Sequence, residues 1–154
     1  MDNTLNIESK TDEKQYIAVE IGVELYGIDI NYVDNIVRMQ KVTRVPKSQP
    51  YFNGVINLRG EIIPVMSIRK RFELEADTFT DKTRIIILKP DQQDPIGVIV
   101  DVVKEVVVLN EADVEKITSE GGYISGVGKK GDNLISILNI NNVINDNNTN
   151  PTVV

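Results

Sequence analysis

The chain has no histidine, and that absence excludes more chemistry than any motif it contains. It removes imidazole acid–base catalysis, Ser-His-Asp hydrolysis, histidine metal ligands and phosphohistidine relay. Cysteine is also missing, so there is no disulfide framework, thiol nucleophile or thiolate metal site. No apolar run reaches membrane-spanning length, because the longest, 96–109, is broken by Asp101, Lys104 and Glu105. The first residues carry Asp2, Glu8, Asp12 and Glu13 and no apolar signal-peptide core, which leads us to expect a cytoplasmic protein without direct membrane insertion. A net charge of −6 lacks the clustered basic footprint of a nucleic-acid binder. The one obvious carboxylate pair, Asp91 and Asp94, brackets two glutamines ahead of Pro95 and reads as a turn. We therefore expect no catalytic, cofactor or metal residues.

What remains is a chain of strands. Its 154 residues, 41% hydrophobic and 26% charged, suit one compact domain or two small subdomains sharing a core. Short β-branched runs at 16–21, 22–27, 84–89 and 95–100 are separated by turn residues. Long amphipathic helices are absent, and short helical pieces are expected at 31–37, 50–53, 68–72 and 139–144. In the first piece Ile30, Val33, Ile36 and Val37 would line one face. Residues 1–13 and the asparagine-rich 146–154 are expected to be disordered, leaving 14–145 as the folded unit.

The two halves resemble each other. Gly27-Ile28-Asp29-Ile30 with Val33, Ile36 and Val37 reappears as Gly97-Val98-Ile99-Val100 with Val103, Val106 and Val107, an offset of about 70 residues. Gly54-Val55, Gly60, Ile62-Ile63, Val65-Met66 and Ile68 recur as Gly126-Val127, Gly131, Leu134-Ile135, Ile137-Leu138 and Ile140. Two like-built β subdomains are expected, joined at the acidic, threonine-rich stretch 73–83.

The most informative string is Gly54-Val55-Ile56-Asn57-Leu58-Arg59-Gly60-Glu61-Ile62-Ile63-Pro64-Val65. Two apolar arms flank a polar tip with a glycine where a tight turn needs positive φ, so Asn57, Leu58 and Gly60 are read as turn residues. Arg59 would be held outward as a permanently charged fork. Residue type alone favours an ordinary solvated turn arginine, and it is the whole string that tips the balance toward a docking role. This string resembles the signature hairpin of the CheW family, scaffold proteins coupling chemoreceptors to the histidine kinase CheA. The likeness continues through Leu25-Tyr26-Gly27-Ile28-Asp29-Ile30, Val42-Thr43-Arg44-Val45-Pro46, Ile96-Gly97-Val98-Ile99-Val100-Asp101 and Tyr123-Ile124-Ser125-Gly126-Val127-Gly128. It covers residues 14–140 in family order.

The resemblance implies an all-β fold of two small five-stranded SH3-like barrels packed side by side, with a few short helices. It also implies a non-enzymatic adaptor in receptor arrays, binding the CheA regulatory domain and a receptor's cytoplasmic hairpin tip. The receptor positions carried over are Ile30, Val33, Ile36, Arg59, Gly97, Val103 and Val106, and the kinase positions are Asn53, Gly54 and Gly126. Many relatives place an acidic residue where this chain has Asn35, which leaves Asp34 or Glu61 as a local partner for Arg59. A pilus-type chemosensory system would use the same module. A nucleotide-binding module at Gly126-Val127-Gly128-Lys129-Lys130-Gly131 is the alternative of another class. That string is a formal G-x-G-x-x-G, but the residues after it read as a strand rather than a helix.

Overall fold

Strand β1 (Glu13–Ile21) buries both of its faces, and this sets the architecture. In the computed structural model, which describes residues 12–118 and 121–145, Tyr16 and Ala18 enter one core while Ile17, Val19 and Ile21 enter another. The alternation is that of a pleated strand. Strands β6 (Arg84–Leu88) and β7 (Ile96–Val100) behave alike. Ile85, Ile87 and Ile99 fill a third core, and Ile86, Leu88, Val98 and Val100 join the one that β1 shares. Strands buried on both faces have near-continuous apolar sequences.

The remaining strands are β2 (Glu24–Asp29), β3 (Val33–Arg38), β4 (Phe52–Leu58), β5 (Glu61–Ser67), β8 (Val102–Asn110), β9 (Glu115–Lys116), β10 (Ile124–Lys130) and β11 (Asn133–Leu138). They form a six-stranded sheet, β8-β1-β2-β11-β10-β9, and a five-stranded sheet, β3-β6-β7-β5-β4. Apart from the two-residue β9, the sheets match strand for strand. Each has one parallel pairing, β11 with β2 and β5 with β7. Both curl over their own cores. In the first, a Cβ on Gly128 of β10 would lie 2.6 Å from Leu109 of β8, although three strands separate them across the sheet.

This topology corrects the expected junction at 73–83. That segment links the two repeats of sequence, but it runs from helix α1 (Ile68–Arg71) to β6, both attached to the second sheet. The chain changes sheets at residues 30–32 and again at Asp101. Each repeat therefore contributes its first hairpin to one sheet and its later strands to the other. A repeat in sequence shows which strands correspond, but not which sheet a hairpin joins. The shared core takes Val19 and Ile28 from one sheet and Met66, Ile86 and Val100 from the other, all fully buried. Each such side chain stabilises by about 1.5–3 kcal/mol, so the two sheets form one body.

The helix expected at 31–37 is also corrected. Only Ile30–Tyr32 make a single 3₁₀ turn, capped by Asp29, whose Oδ1 accepts the Asn31 amide at 2.9 Å. From Val33 exposure alternates residue by residue as β3, the geometry that β-branched Val33, Ile36 and Val37 favour. The helix expected at 50–53 is replaced by a turn running into β4 at Phe52. The other two short helices form as α1 and α2 (Ile140–Ile144), with side-chain caps from Ser67 and Asn139. The two N-cap residues are equivalent in a second respect. Ser67 donates its amide to the Tyr51 carbonyl at 2.8 Å, and Asn139 donates to that of Tyr123 at 2.7 Å. Glu13, assigned from sequence to a disordered segment, opens β1 opposite Asn110. The other residues of that segment before Asp12, and the 146–154 tail, lie outside the described residues.

Candidate partner-binding surfaces

The β4–β5 hairpin closes with Leu58 opposite Glu61, leaving Arg59 and Gly60 as a two-residue turn. Both have left-handed backbones, with φ of 56° and 87°, the pattern of a type I′ turn. Gly60 donates its amide to Asn57 Oδ1 at 2.9 Å, and Leu58 packs into the core beneath. Of the residues read as turn residues, Gly60 lies in the turn, while Asn57 and Leu58 are the last two residues of β4 leading into it. Arg59 is exposed, and among the described residues it makes no ion pair. Neither Asp34 nor Glu61 has taken the role of local partner, and Asn35 Oδ1 accepts the amide of its neighbour Ile36 at 2.8 Å.

Ile30, Val33 and Val103 are half-buried against the shared core. Ile36 lies opposite Ile86, and Val106 opposite Ile17, so both lie on that core's face. Yet they emerge at its rim, 37% and 50% exposed, on β3 and β8, the equivalent outer strands of the two sheets. Beside Val103 a cleft of about 360 Å³ is lined by Val102, Lys82, Arg84 and Lys104. Lys104 is paired with Glu20 at 3.0 Å, and Arg84 donates to the carbonyls of Asp81 and Thr83. The result is an apolar strip with a basic margin.

Gly97 does not belong to that strip. It is buried, and a Cβ there would point into the second sheet's own core, 2.7 Å from Ile85 Cγ2 and 3.5 Å from Val65 Cγ2. Period-two alternation explains the misplacement: its neighbours Ile96 and Val98 face the shared core, so Gly97 faces away.

Gly54 and Gly126 are buried equivalents. A Cβ on Gly54, whose φ is 141°, would lie 2.1 Å from the Thr43 carbonyl oxygen. One on Gly126 would lie 2.9 Å from Val114 Cγ1 and 3.1 Å from the Glu115 carbonyl oxygen. Each glycine lets the preceding connection lie flat on its hairpin. Thr43 exchanges two backbone hydrogen bonds with Val55, both 2.8 Å, and β9 pairs with β10. Of the three positions carried over for the kinase, only Asn53 offers a side chain, and its Oδ1 accepts from Lys70 Nζ at 3.2 Å. The glycine string 126–131 is β10 and the turn into β11, so no helix N-terminus stands behind it to hold a phosphate.

Sequence reasoning missed two arginines on α1. Arg69 grips Asp101 with two bonds, Nε to Oδ1 at 3.1 Å and Nη2 to Oδ2 at 2.5 Å, and Asp101 Oδ2 also accepts the Gly22 amide at 2.8 Å. Burial pushes the Asp101 carboxyl up, but the Arg69 and Gly22 hydrogen bonds outweigh it and leave the group below its ordinary value. Arg69 also donates to the Glu75 carbonyl, and Ser67 Oγ donates to Asp77, which fastens 73–77 over α1. Arg71 lies over the rings of Tyr51 and Tyr123, 4.5 and 5.1 Å from their centroids, and donates to the carbonyls of Asn142, Val143 and Asn145. The available signal was a break in the repeat: arginine stands at 71 where the second copy has Val143.

Comparison with known proteins agrees with this geometry. The sequence profile of the CheW-like domain matches residues 15–148. The chemotaxis protein CheW of Bacillus subtilis is 37% identical over 146 residues, covering 91% of this chain and 92% of that protein. The CheW of Treponema pallidum is 33% identical, over 84% of this chain and 81% of its own length. The crystal structure of the scaffolding protein TtCheW from Thermoanaerobacter tengcongensis superposes with a TM-score of 0.79 at 33% identity, covering 87% of this chain and 94% of that one. With a matching profile over most of its length and the same paired-sheet fold, the chain belongs to the CheW-like family.

Proposed function

We infer that this chain is a non-enzymatic chemotaxis adaptor, coupling the cytoplasmic tips of chemoreceptors to the histidine kinase CheA. The observation that carries this reading is the near-full-length likeness to chemotaxis CheW proteins. Its action would be positional. A body built on a shared core transmits a displacement instead of absorbing it, so a small receptor movement reaches the kinase. No helix among the described residues is long and apolar enough to cross a membrane. The adaptor would work in the cytoplasm, recruited to membrane-associated arrays by its partners.

The rim formed by Ile30, Val33, Ile36, Val103 and Val106 is the proposed seat for the receptor hairpin, because an apolar strip suits an amphipathic helix. Arg59 is the proposed charged contact. Asn53 would touch the kinase regulatory domain, with Gly54 and Gly126 shaping the surfaces beside it. Pull-down of this chain with a CheA regulatory domain and a receptor cytoplasmic fragment tests the reading. Capture of both partners is expected, and failure to capture either contradicts it.

A further inference from the structure

The connection from β3 to β4 encloses a cleft of about 920 Å³ whose charge runs against that of the chain. Lys41, Arg44 and Lys47 line it, Lys70 of α1 closes one side, and no carboxylate takes part, in a protein of net charge −6. Among the described residues Lys41, Arg44 and Lys47 form no ion pair, and the one hydrogen bond of the Lys70 ammonium goes to the neutral amide oxygen of Asn53. Gathering four cations without a counter-charge costs the fold energy through repulsion. The connection is held in place regardless, by the Thr43–Val55 pair that Gly54 makes possible. Two apolar side chains stand exposed in the same cleft, Val45 at 44% and Phe79 at 51%.

We propose that this cleft docks a short acidic segment of a partner protein. Its carboxylates would rest on Lys41, Arg44, Lys47 and Lys70, with an apolar side chain against Val45 and Phe79. Charge complementarity selects the sign of the ligand, and the exposed hydrocarbon selects a peptide over a simple anion. Length argues against a nucleic acid, because a long polyanion would run from the cleft onto an acidic protein surface. The cleft is separate from the Arg59 tip and from the apolar rim but shares Asn53 with the proposed kinase contact. Because the test uses an isolated peptide, its failure is distinguishable from failure of the adaptor reading.

The test is fluorescence anisotropy of the intact protein with a fluorescein-labelled peptide of alternating glutamate and leucine. Saturable binding that weakens with added salt is expected. The double variant Arg44→Glu, Lys47→Glu should bind about tenfold more weakly or worse, with its thermal melt unchanged. Should that variant unfold, Lys41→Gln with Arg44→Gln carries the same expectation with a milder change. Reversing Lys129 and Lys130 on the other hairpin should have no effect. The proposal is overturned if the native protein shows no saturation, if the folded cleft variants bind as well as native protein, or if an oligothymidylate of equal charge displaces the peptide as effectively as unlabelled peptide does.

Discussion

Arg69 and Asp101 lock the place where the chain crosses between sheets. The guanidinium on α1 holds a carboxylate that also accepts the amide of Gly22, so one ion pair ties α1, the β7–β8 crossing and the β1–β2 turn together. The two side chains are only 16% and 24% exposed, which sets the pair apart from a solvated surface bridge. Arg69→Ala should cost about 2 kcal/mol of stability, read as a lower urea midpoint with an unchanged slope. Because the folded Asp101 titrates below its ordinary value, its contribution is fully present above about pH 3.9 and is lost as the pH falls through the lower, folded value. Asp101→Asn should remove that part of the acid-induced loss. An acid limb identical to that of native protein would contradict the assignment.

Gly97 and Val103 should separate when substituted. Gly97→Arg forces a long charged side chain into a packed core and should leave no cooperative melt, while Gly97→Ala should cost about 1–3 kcal/mol. Val103→Glu, at the half-buried rim, should keep a cooperative transition and lose receptor binding. A well-folded Gly97→Arg, followed by thermal denaturation, would return that glycine to the surface.

The part of this that sequence could supply depended on which physical signal was local. Hairpins, turns and the two short capped helices are written in neighbouring residues, and they appear where the pattern puts them. The Arg59–Gly60 turn is the clearest case. Sheet membership is not local, so the exchange of hairpins between repeats was hidden. The stripe of Ile30, Val33, Ile36 and Val37 fits a helix by spacing, yet its β-branched residues pair with β6 as a strand. Gly97 was misplaced because its face depends on that of its neighbours. The clamps of Arg69 and Arg71 were missed because their partners are distant in the chain.

The two equivalent glycines should differ in tolerance. Gly54 has a left-handed φ and would press a Cβ to 2.1 Å from backbone, whereas Gly126 has no such φ and meets Val114 Cγ1 at 2.9 Å and backbone no nearer than 3.1 Å. Gly54→Ala should cost at least about 2 kcal/mol and speed hydrogen exchange of the Thr43 and Val55 amides. Gly126→Ala should cost less. Equal losses in chemical unfolding would contradict this ordering.

The receptor contact proposed for the adaptor rests most directly on Arg59, which the fold displays without using. Arg59→Ala removes no bond recorded among the described residues, so the melting temperature should hardly move. An interface arginine, by contrast, contributes about 2 kcal/mol or more to affinity. The decisive measurement is co-sedimentation of this variant with a receptor cytoplasmic fragment and the CheA regulatory domain, beside native protein. Native protein should assemble with both, and the variant should require well over tenfold higher concentration to do so. Assembly of the variant at native concentrations would contradict the role given to the hairpin tip.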